Sequence, residues 1–193
     1  MEIKVDLFSD TGTRPSQDMR RYMAEAEVGD EQLGEDPSVN RLCRMTSEML
    51  AKDDAIYLPS GLMANQISFA VHTDPGDEII MDQTAHPIHF ESSALAVISG
   101  ASIKELAGEG GIFTAEQVEA AVRDSDYHSP QTRVVSIEQT TNLGGGRIWS
   151  LERIKEIAEV AEANELKMHM DGARMLNAAV AKEVDPAEYG QYF

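Results

Sequence analysis

The sequence predicts an α/β fold, a mostly parallel sheet with flanking helices, on three observations. Short apolar runs alternate with longer helix-forming runs along most of the chain. Its 193 residues suffice for one domain with a proper core. The residues with chemical character gather at the carboxyl ends of the apolar runs, where open α/β sheets bind ligands. Parallel pairing follows from the alternation, because a helix between two strands supplies the crossover that parallel neighbours need.

Pro15, after Thr13 and Arg14, suits a first helical position, and "SQDMRRYMAEAEV" carries that helix to Gly29. Asp36-Pro37 repeats the device before "SVNRLCRMTSEMLAK", where Val39, Leu42, Thr46 and Met49 share a helical face. "AIYLP" is expected as a first short strand, followed by a turn and helix over "SGLMANQISFAVH". "EIIM" makes a second strand, "AHPIHFESSALAVIS" a loop and helix, and "SIKELA" a third, weaker strand. Thr114 with Gln117 forms a capping box for "AEQVEAAVRD". "RVVSIE" is a strand, "TTNLGGG" a loop, and Ser150 caps "LERIKEIAEVAEANE". "LKMHM" is the next strand; a helix follows "DGAR", and Asp185-Pro186 opens a last short one. There is no internal repeat and no low-complexity tract.

Sixteen basic against 34 acidic residues give a formal charge of -18, which repels phosphate backbones and anionic lipid surfaces. No nucleic-acid partner is expected. No membrane partner is expected either, because no segment approaches ~18 uninterrupted apolar residues. "MEIKVDLFSD" lacks the basic stretch and apolar run of a secretory leader, so the chain reads as soluble and cytoplasmic. Cys43 is the single cysteine, which excludes an intrachain disulfide and a thiolate metal cage. Among Leu42, Met45 and Met49 it is expected to be core or half-buried.

Four strand ends are expected to point toward one rim: Ser60-Gly61 after "AIYLP", His86 after "EIIM", Glu138 ending "RVVSIE" and Asp171 ending "LKMHM". Ser60-Gly61-Leu62 leads into a helix whose free N–H groups and positive dipole end suit a phosphate, with a Ser60 hydrogen bond in addition. An ordinary serine N-cap with a packing glycine is the competing reading. No Walker A sequence and no G-x-G-x-x-G is present. His86 and His89, with Asp82 and Glu91, offer nitrogen and oxygen donors, but H-E-x-x-H is absent, and no metal is expected. Pro87 biases His86 toward an extended backbone and so stiffens its ring for stacking or proton transfer. A half-buried structural histidine is the alternative.

Asp171 ends an apolar strand, where a carboxylate is costly to desolvate, by several kcal/mol in order of magnitude, unless a cation or several donors meet it. Arg174 is one such cation if the chain turns helical, since positions three apart share a face. The other reading sends Asp171 to a ligand cation and Arg174 to a ligand anion. His169 lies on the same strand face as Asp171 and is placed to orient it.

Taken together, "DLFSDTGTRPS", "AEVGDEQLGEDPSVNRL", "LPSGLMANQ", "VHTDPGDEII", "GGGRIW" and "HMDGAR" resemble the threonine aldolase family. These are pyridoxal-phosphate (PLP) enzymes within the β-eliminating lyase group. The resemblance implies the large-domain portion of the fold type I PLP-dependent transferase architecture. It also implies a lyase splitting β-hydroxy-α-amino acids such as threonine or allo-threonine into glycine and an aldehyde. By matching position, Asp171 pairs with the pyridine nitrogen of PLP and keeps the ring an electron sink. Gly61 and Leu62 give backbone N–H groups to the phosphate beside Ser60, His86 stacks on the ring, and Glu138 joins the cofactor-binding set. Ser9 and Arg174 hold the substrate carboxylate, and His128 in "DYHSP" stands near the substrate hydroxyl. The taker of the hydroxyl proton stays open between His86, His128 and a water. A homodimer or homotetramer is implied, because such sites are built at subunit interfaces.

Some positions depart from the family pattern. Phe8 replaces an arginine, Gly12 a valine, Leu33 a tyrosine and Leu62 a threonine; "EQTTN", with Gln139 and Thr141, replaces "ENTHN". These touch the substrate more than the cofactor, and β-elimination on another amino acid is the alternative activity. The family's Schiff-base lysine sits in a Ser-Lys-Gly context. None of Lys4, Lys52, Lys104, Lys155, Lys167 and Lys182 has that context. The expected organisation is a helical segment over residues 1–50 and a partial PLP-binding large domain over 51–193, with no C-terminal small domain. The "EYGQYF" end favours a fragment of a longer enzyme; a non-catalytic truncated module is the alternative.

Overall fold

The computed structural model describes residues 8–124 and 126–193. Its elements alternate much as the hydrophobic pattern requires: α1 (Gln17–Glu25), α2 (Pro37–Leu50), α3 (Gly61–His72), β1 (Glu78–Asp82), α4 (His86–His89), α5 (Ala94–Ile98), β2 (Ser102–Leu106), α6 (Ala115–Ala121), β3 (Thr132–Glu138), α7 (Leu151–Ala163), β4 (Lys167–Asp171), α8 (Met175–Lys182) and α9 (Pro186–Gly190). The four strands pair in the order β2-β1-β3-β4, all parallel.

The two central strands are covered on both faces, as parallel strands with crossover helices must be. Successive side chains point to opposite faces, so β1 feeds two cores. Ile80 packs with Val135, Ile137, Trp149 and the apolar faces of α6, α7 and α8. Ile79 and Met81 pack on the other side with Val134, Phe69 and Leu95.

Helix boundaries follow their caps. Asp36 accepts the N–H groups of Ser38 and Val39 at 2.9 Å ahead of Pro37. Thr114 and Gln117 form the expected capping box, and Ser150 caps α7 through the Arg153 N–H. Asp185 and Glu188 close a second box at α9.

Four expectations are corrected. The first helix begins at Gln17, because Ser16 rather than the residue before Pro15 caps it, and it ends at Glu25. "AIYLP" forms no strand: it does not join the four-stranded sheet, and Ile56 is left 76% exposed. "AHPIHFESSALAVIS" holds two short helices, since Ser92 and Ser93 take left-handed φ values of 52° and 58° and break the run. On α2 the buried residue is Ser47, while Leu42 and Met49 of the expected apolar face stay open to solvent. Cys43 is half-buried. Among the described residues, no helix is long and apolar enough to cross a membrane.

Candidate active site

Three strand ends deliver side chains to one rim, as parallel topology dictates, and the start of α3 arrives beside them. Glu138 and Asp171 are register partners at the ends of β3 and β4. His86 opens α4, four residues after the end of β1. Together with Ser9, Gly61, Leu62, Asn65 and Arg174 they line a cavity of about 880 Å³.

At the α3 end, Ser60 accepts the Met63 N–H at 3.1 Å, so its oxygen serves as an N-cap. The N–H groups of Gly61 and Leu62 have no carbonyl one turn earlier in the helix, and both residues line the cavity. Added to the dipole, they make an anion-binding end. The serine cap of the competing reading is present, but Gly61 is not a packing glycine, since a Cβ there would meet nothing within 4 Å.

Asp171 does not pair with Arg174. Its Oδ2 accepts from Asn65 Nδ2 at 2.9 Å and its Oδ1 from the Ala173 N–H at 3.2 Å. Arg174 turns away. Its guanidinium donates to the Thr140 carbonyl at 3.1 Å and approaches Glu138 at 3.6 Å and Asp10 at 3.4 Å. Its Nε is buried without a partner. These ion pairs exceed the roughly 2.7–2.9 Å of a full charge-assisted bond, which leaves the arginine with donor capacity.

His86 is helical rather than extended, so Pro87 does not fix its ring; Glu91 does, with Oε1 at 2.9 Å from Nδ1. His86, Glu91 and Asp171 place ligand-type atoms within 4.8 Å of one another. Amide donors from Asn65 and Gln66 already occupy both Glu91 oxygens, and His86 Nδ1 meets one of them. The other two groups of the metal reading are engaged elsewhere: Asp82 accepts from Thr84 and Gly108, and His89 meets the Gln83 carbonyl.

His169 reaches Asp171 through an intermediary. Its Nε2 lies 3.1 Å from Asn65 Oδ1, and Asn65 contacts the aspartate. Burial holds the His169 imidazole down to about 4, against the smaller opposing pull of Asp171. Glu138 moves the other way. Burial raises its carboxyl, the Asn142 N–H at 2.9 Å lowers it, and the nearby Asp171 charge raises it again.

His128 is not brought to this rim. It lies on the exposed loop ahead of β3, beside Tyr127, whereas the opposite end of β3 carries Glu138. Gln139 also stays out of the cavity. It is fully buried, exchanging two bonds of 3.1 Å with the Trp149 backbone, donating its N–H to the Asp171 carbonyl and accepting from Arg174 N. Thr141 does line the cavity and holds the following loop through the Arg147 backbone. Among the described residues, no lysine lines the cavity.

Sequence reading missed Asn65 and Gln66 as site residues and weighed Glu91 only as a metal donor. Their signal was present, as a polar pair inside the apolar run "LMANQISFAV" and a lone acid inside "PIHFESSALAVI". Each is costly to bury without partners, so each implied the others.

A sequence model of the family described as beta-eliminating lyase matches residues 6–193. Low-specificity L-threonine aldolase 1 of Arabidopsis thaliana is 40% identical over 182 residues, 92% of this chain and 51% of its own length. Low specificity L-threonine aldolase of Escherichia coli K12 is 36% identical over 189 residues, 97% of this chain and 56% of its own. The chain thus spans about half the length of these relatives. In fold it is similar to the solved Leishmania major threonine aldolase, with a TM-score of 0.78 at 21% identity, covering 90% of this chain and 51% of that one.

Proposed function

The chain belongs to the beta-eliminating lyase family, and from that premise we propose that it supplies the PLP-binding part of a threonine-aldolase-type carbon-carbon lyase. The substrate is a β-hydroxy-α-amino acid such as threonine or allo-threonine; the products are glycine and an aldehyde. The observation that carries this reading is the convergence in one cavity of a free helix N-terminus, an imidazole, a strand-end carboxylate and an incompletely paired arginine.

The donor set fits pyridoxal phosphate. Gly61 and Leu62 would hold the phosphate through their N–H groups, where a Cβ on Gly61 would meet nothing within 4 Å. Asp171, with Asn65 and Ala173 as its hydrogen-bond donors among the described residues, keeps acceptor capacity for a protonated pyridine nitrogen. His86 would cover a ring face. When bound, the cofactor supplies an electron sink for the carbanion left by cleavage. Arg174, with Ser9 on the same cavity wall, would hold the substrate carboxylate. His86 would accept the substrate hydroxyl proton, directly or through water. His128 has no access to the cavity of its own chain, so its proposed role would need another subunit. Glu138, its carboxyl raised by burial, would sit between Arg174 and the cofactor-binding carboxylate.

The assembly is proposed to be a homodimer or homotetramer, and the compartment the cytoplasm; light scattering on the whole-length protein tests the first. In the test of function, protein of the relatives' full length is mixed with PLP. An absorbance band that shifts on adding glycine or threonine, with aldehyde released from threonine, is the expected result. Neither binding nor aldehyde release would end the proposal. Thr141, a departure that lines the cavity, motivates β-elimination as the second reading. Pyruvate and ammonia in place of glycine and aldehyde would establish it.

A further inference from the structure

Glu91 has no exposed surface. Its Oε1 accepts from Asn65 Nδ2 at 2.8 Å and meets His86 Nδ1 at 2.9 Å, and its Oε2 accepts from Gln66 Nε2 at 2.6 Å. An amide donor on each oxygen is the pattern of an acceptor-only carboxylate. The contact at His86 Nδ1 is then a hydrogen bond only if that nitrogen carries the proton. In the neutral ring this leaves Nε2 as a bare acceptor, on a side chain that lines the cavity.

Asn65 extends the same constraint. Its amide hydrogens are divided between Glu91 and Asp171, and its oxygen faces His169 Nε2 at 3.1 Å. A flipped amide would turn its oxygen toward two carboxylates, so the amide orientation is fixed and His169 is the donor in its contact with Asn65.

We propose that Glu91 is a positioning residue: it holds His86 in the Nδ1–H tautomer with Nε2 presented to the cavity as a proton acceptor, and through Asn65 it ties that ring to Asp171. What Nε2 accepts, the substrate hydroxyl proton, rests on the functional reading above; the tautomer itself does not.

The test therefore has two arms. In the first, long-range proton–nitrogen correlation NMR of the 15N-labelled chain, at a pH where imidazole is neutral, reports which His86 nitrogen is protonated. The expected pattern is Nδ1–H in the unsubstituted chain and in Glu91→Gln. That variant keeps an oxygen toward His86, and its new amide is met by Gln66 after an amide flip, because Gln66 Oε1 is buried with no partner. Glu91→Met should lose the Nδ1–H signature. An Nε2–H ring in the unsubstituted chain, or Nδ1–H persisting in Glu91→Met, overturns the proposal. Should Glu91→Met fail to fold, the unsubstituted and Gln proteins still decide it.

In the second arm, Glu91→Met in whole-length protein should lower kcat roughly ten- to a hundredfold. KM and cofactor absorbance should stay near the original, and Glu91→Gln should recover most of the rate. An unchanged kcat beside a changed tautomer overturns the positioning role. Absence of cofactor binding or aldolase turnover in the unsubstituted whole-length protein fails the functional reading instead, and the first arm is unaffected by it.

Discussion

Asn65 donates its side-chain amide to Asp171 at 2.9 Å, joining α3 to the end of β4 across 106 residues of chain. Asn65 stands one helical turn from Gly61, on the face that carries the free N–H groups of the helix start. One helix therefore sets the spacing between the anion-binding end and the carboxylate. Replacing Asn65 with Leu leaves Asp171 with the Ala173 N–H alone and strips Glu91 of a donor. PLP affinity of the chain, read by absorbance titration, should fall about tenfold, the cost of roughly one hydrogen bond to a charged group. An unchanged affinity would remove Asn65 from the site.

Much of this was readable in the sequence because it is local. The strands "EIIM", "SIKELA", "RVVSIE" and "LKMHM" and the Thr114 and Ser150 caps depend on periodicity and on neighbours within one turn. "AIYLP" failed for a reason that is not local: an apolar run becomes a strand only where the fold brings it to a sheet edge, and the sheet of β2-β1-β3-β4 forms without it. The protein partner of Asp171 is not local either. Spacing offered Arg174 as one reading, whereas the fold brought Asn65 from 106 residues away.

Gly61 separates folding from binding. A methyl group there meets nothing within 4 Å, and alanine is favoured over glycine within helices by up to about 1 kcal/mol. Gly61→Ala should leave the thermal midpoint of the chain unchanged or higher. The same methyl group stands in the open space an anion must cross to reach the Gly61 N–H. Affinity for PLP should therefore fall several-fold, while affinity for unphosphorylated pyridoxal should not. Equal losses for both ligands would place the phosphate elsewhere.

Among the described residues Arg174 is the cation of the cavity, held by the Thr140 carbonyl and only loosely by Asp10 and Glu138. Arg174→Gln should raise KM for the amino acid roughly ten- to a hundredfold, the equivalent of about 1.5–3 kcal/mol for a hydrogen bond to a charged group. Cofactor absorbance should be retained. Steady-state kinetics on whole-length protein checks this, and a fall in kcat at constant KM would contradict the carboxylate-binding role.

Gln139 holds the rim together without touching the cavity. Its amide satisfies both the N–H and the carbonyl of Trp149. Gln139→Leu keeps the volume but leaves two buried backbone groups unpaired, at about 1–3 kcal/mol each. The urea midpoint of the chain should drop accordingly, with the slope unchanged. Gln139→Glu, which keeps an acceptor for the Trp149 N–H, should cost less at low pH, where its protonated oxygen can also donate.

Acid sensitivity should follow from His169. Burial depresses its imidazole from 6.5 to about 4 in the folded state, so between those values the unfolded chain holds the extra proton. Stability consequently rises with pH across this window and is lost as pH falls through it, by at most about 3 kcal/mol for this group. His72 is also lowered by burial and adds to the same slope. Glu138 opposes both: its folded carboxyl is raised above 4.5, so the folded state keeps its proton longer and stability falls as pH rises there. The difference between the unsubstituted chain and His169→Gln cancels the Glu138 and His72 contributions to first order. Glutamine keeps a donor for Asn65 but does not titrate. Urea denaturation of both proteins from pH 4 to 7 should show the original chain losing more stability than the variant on acidification. Parallel curves would mean that His169 is not held neutral by the fold.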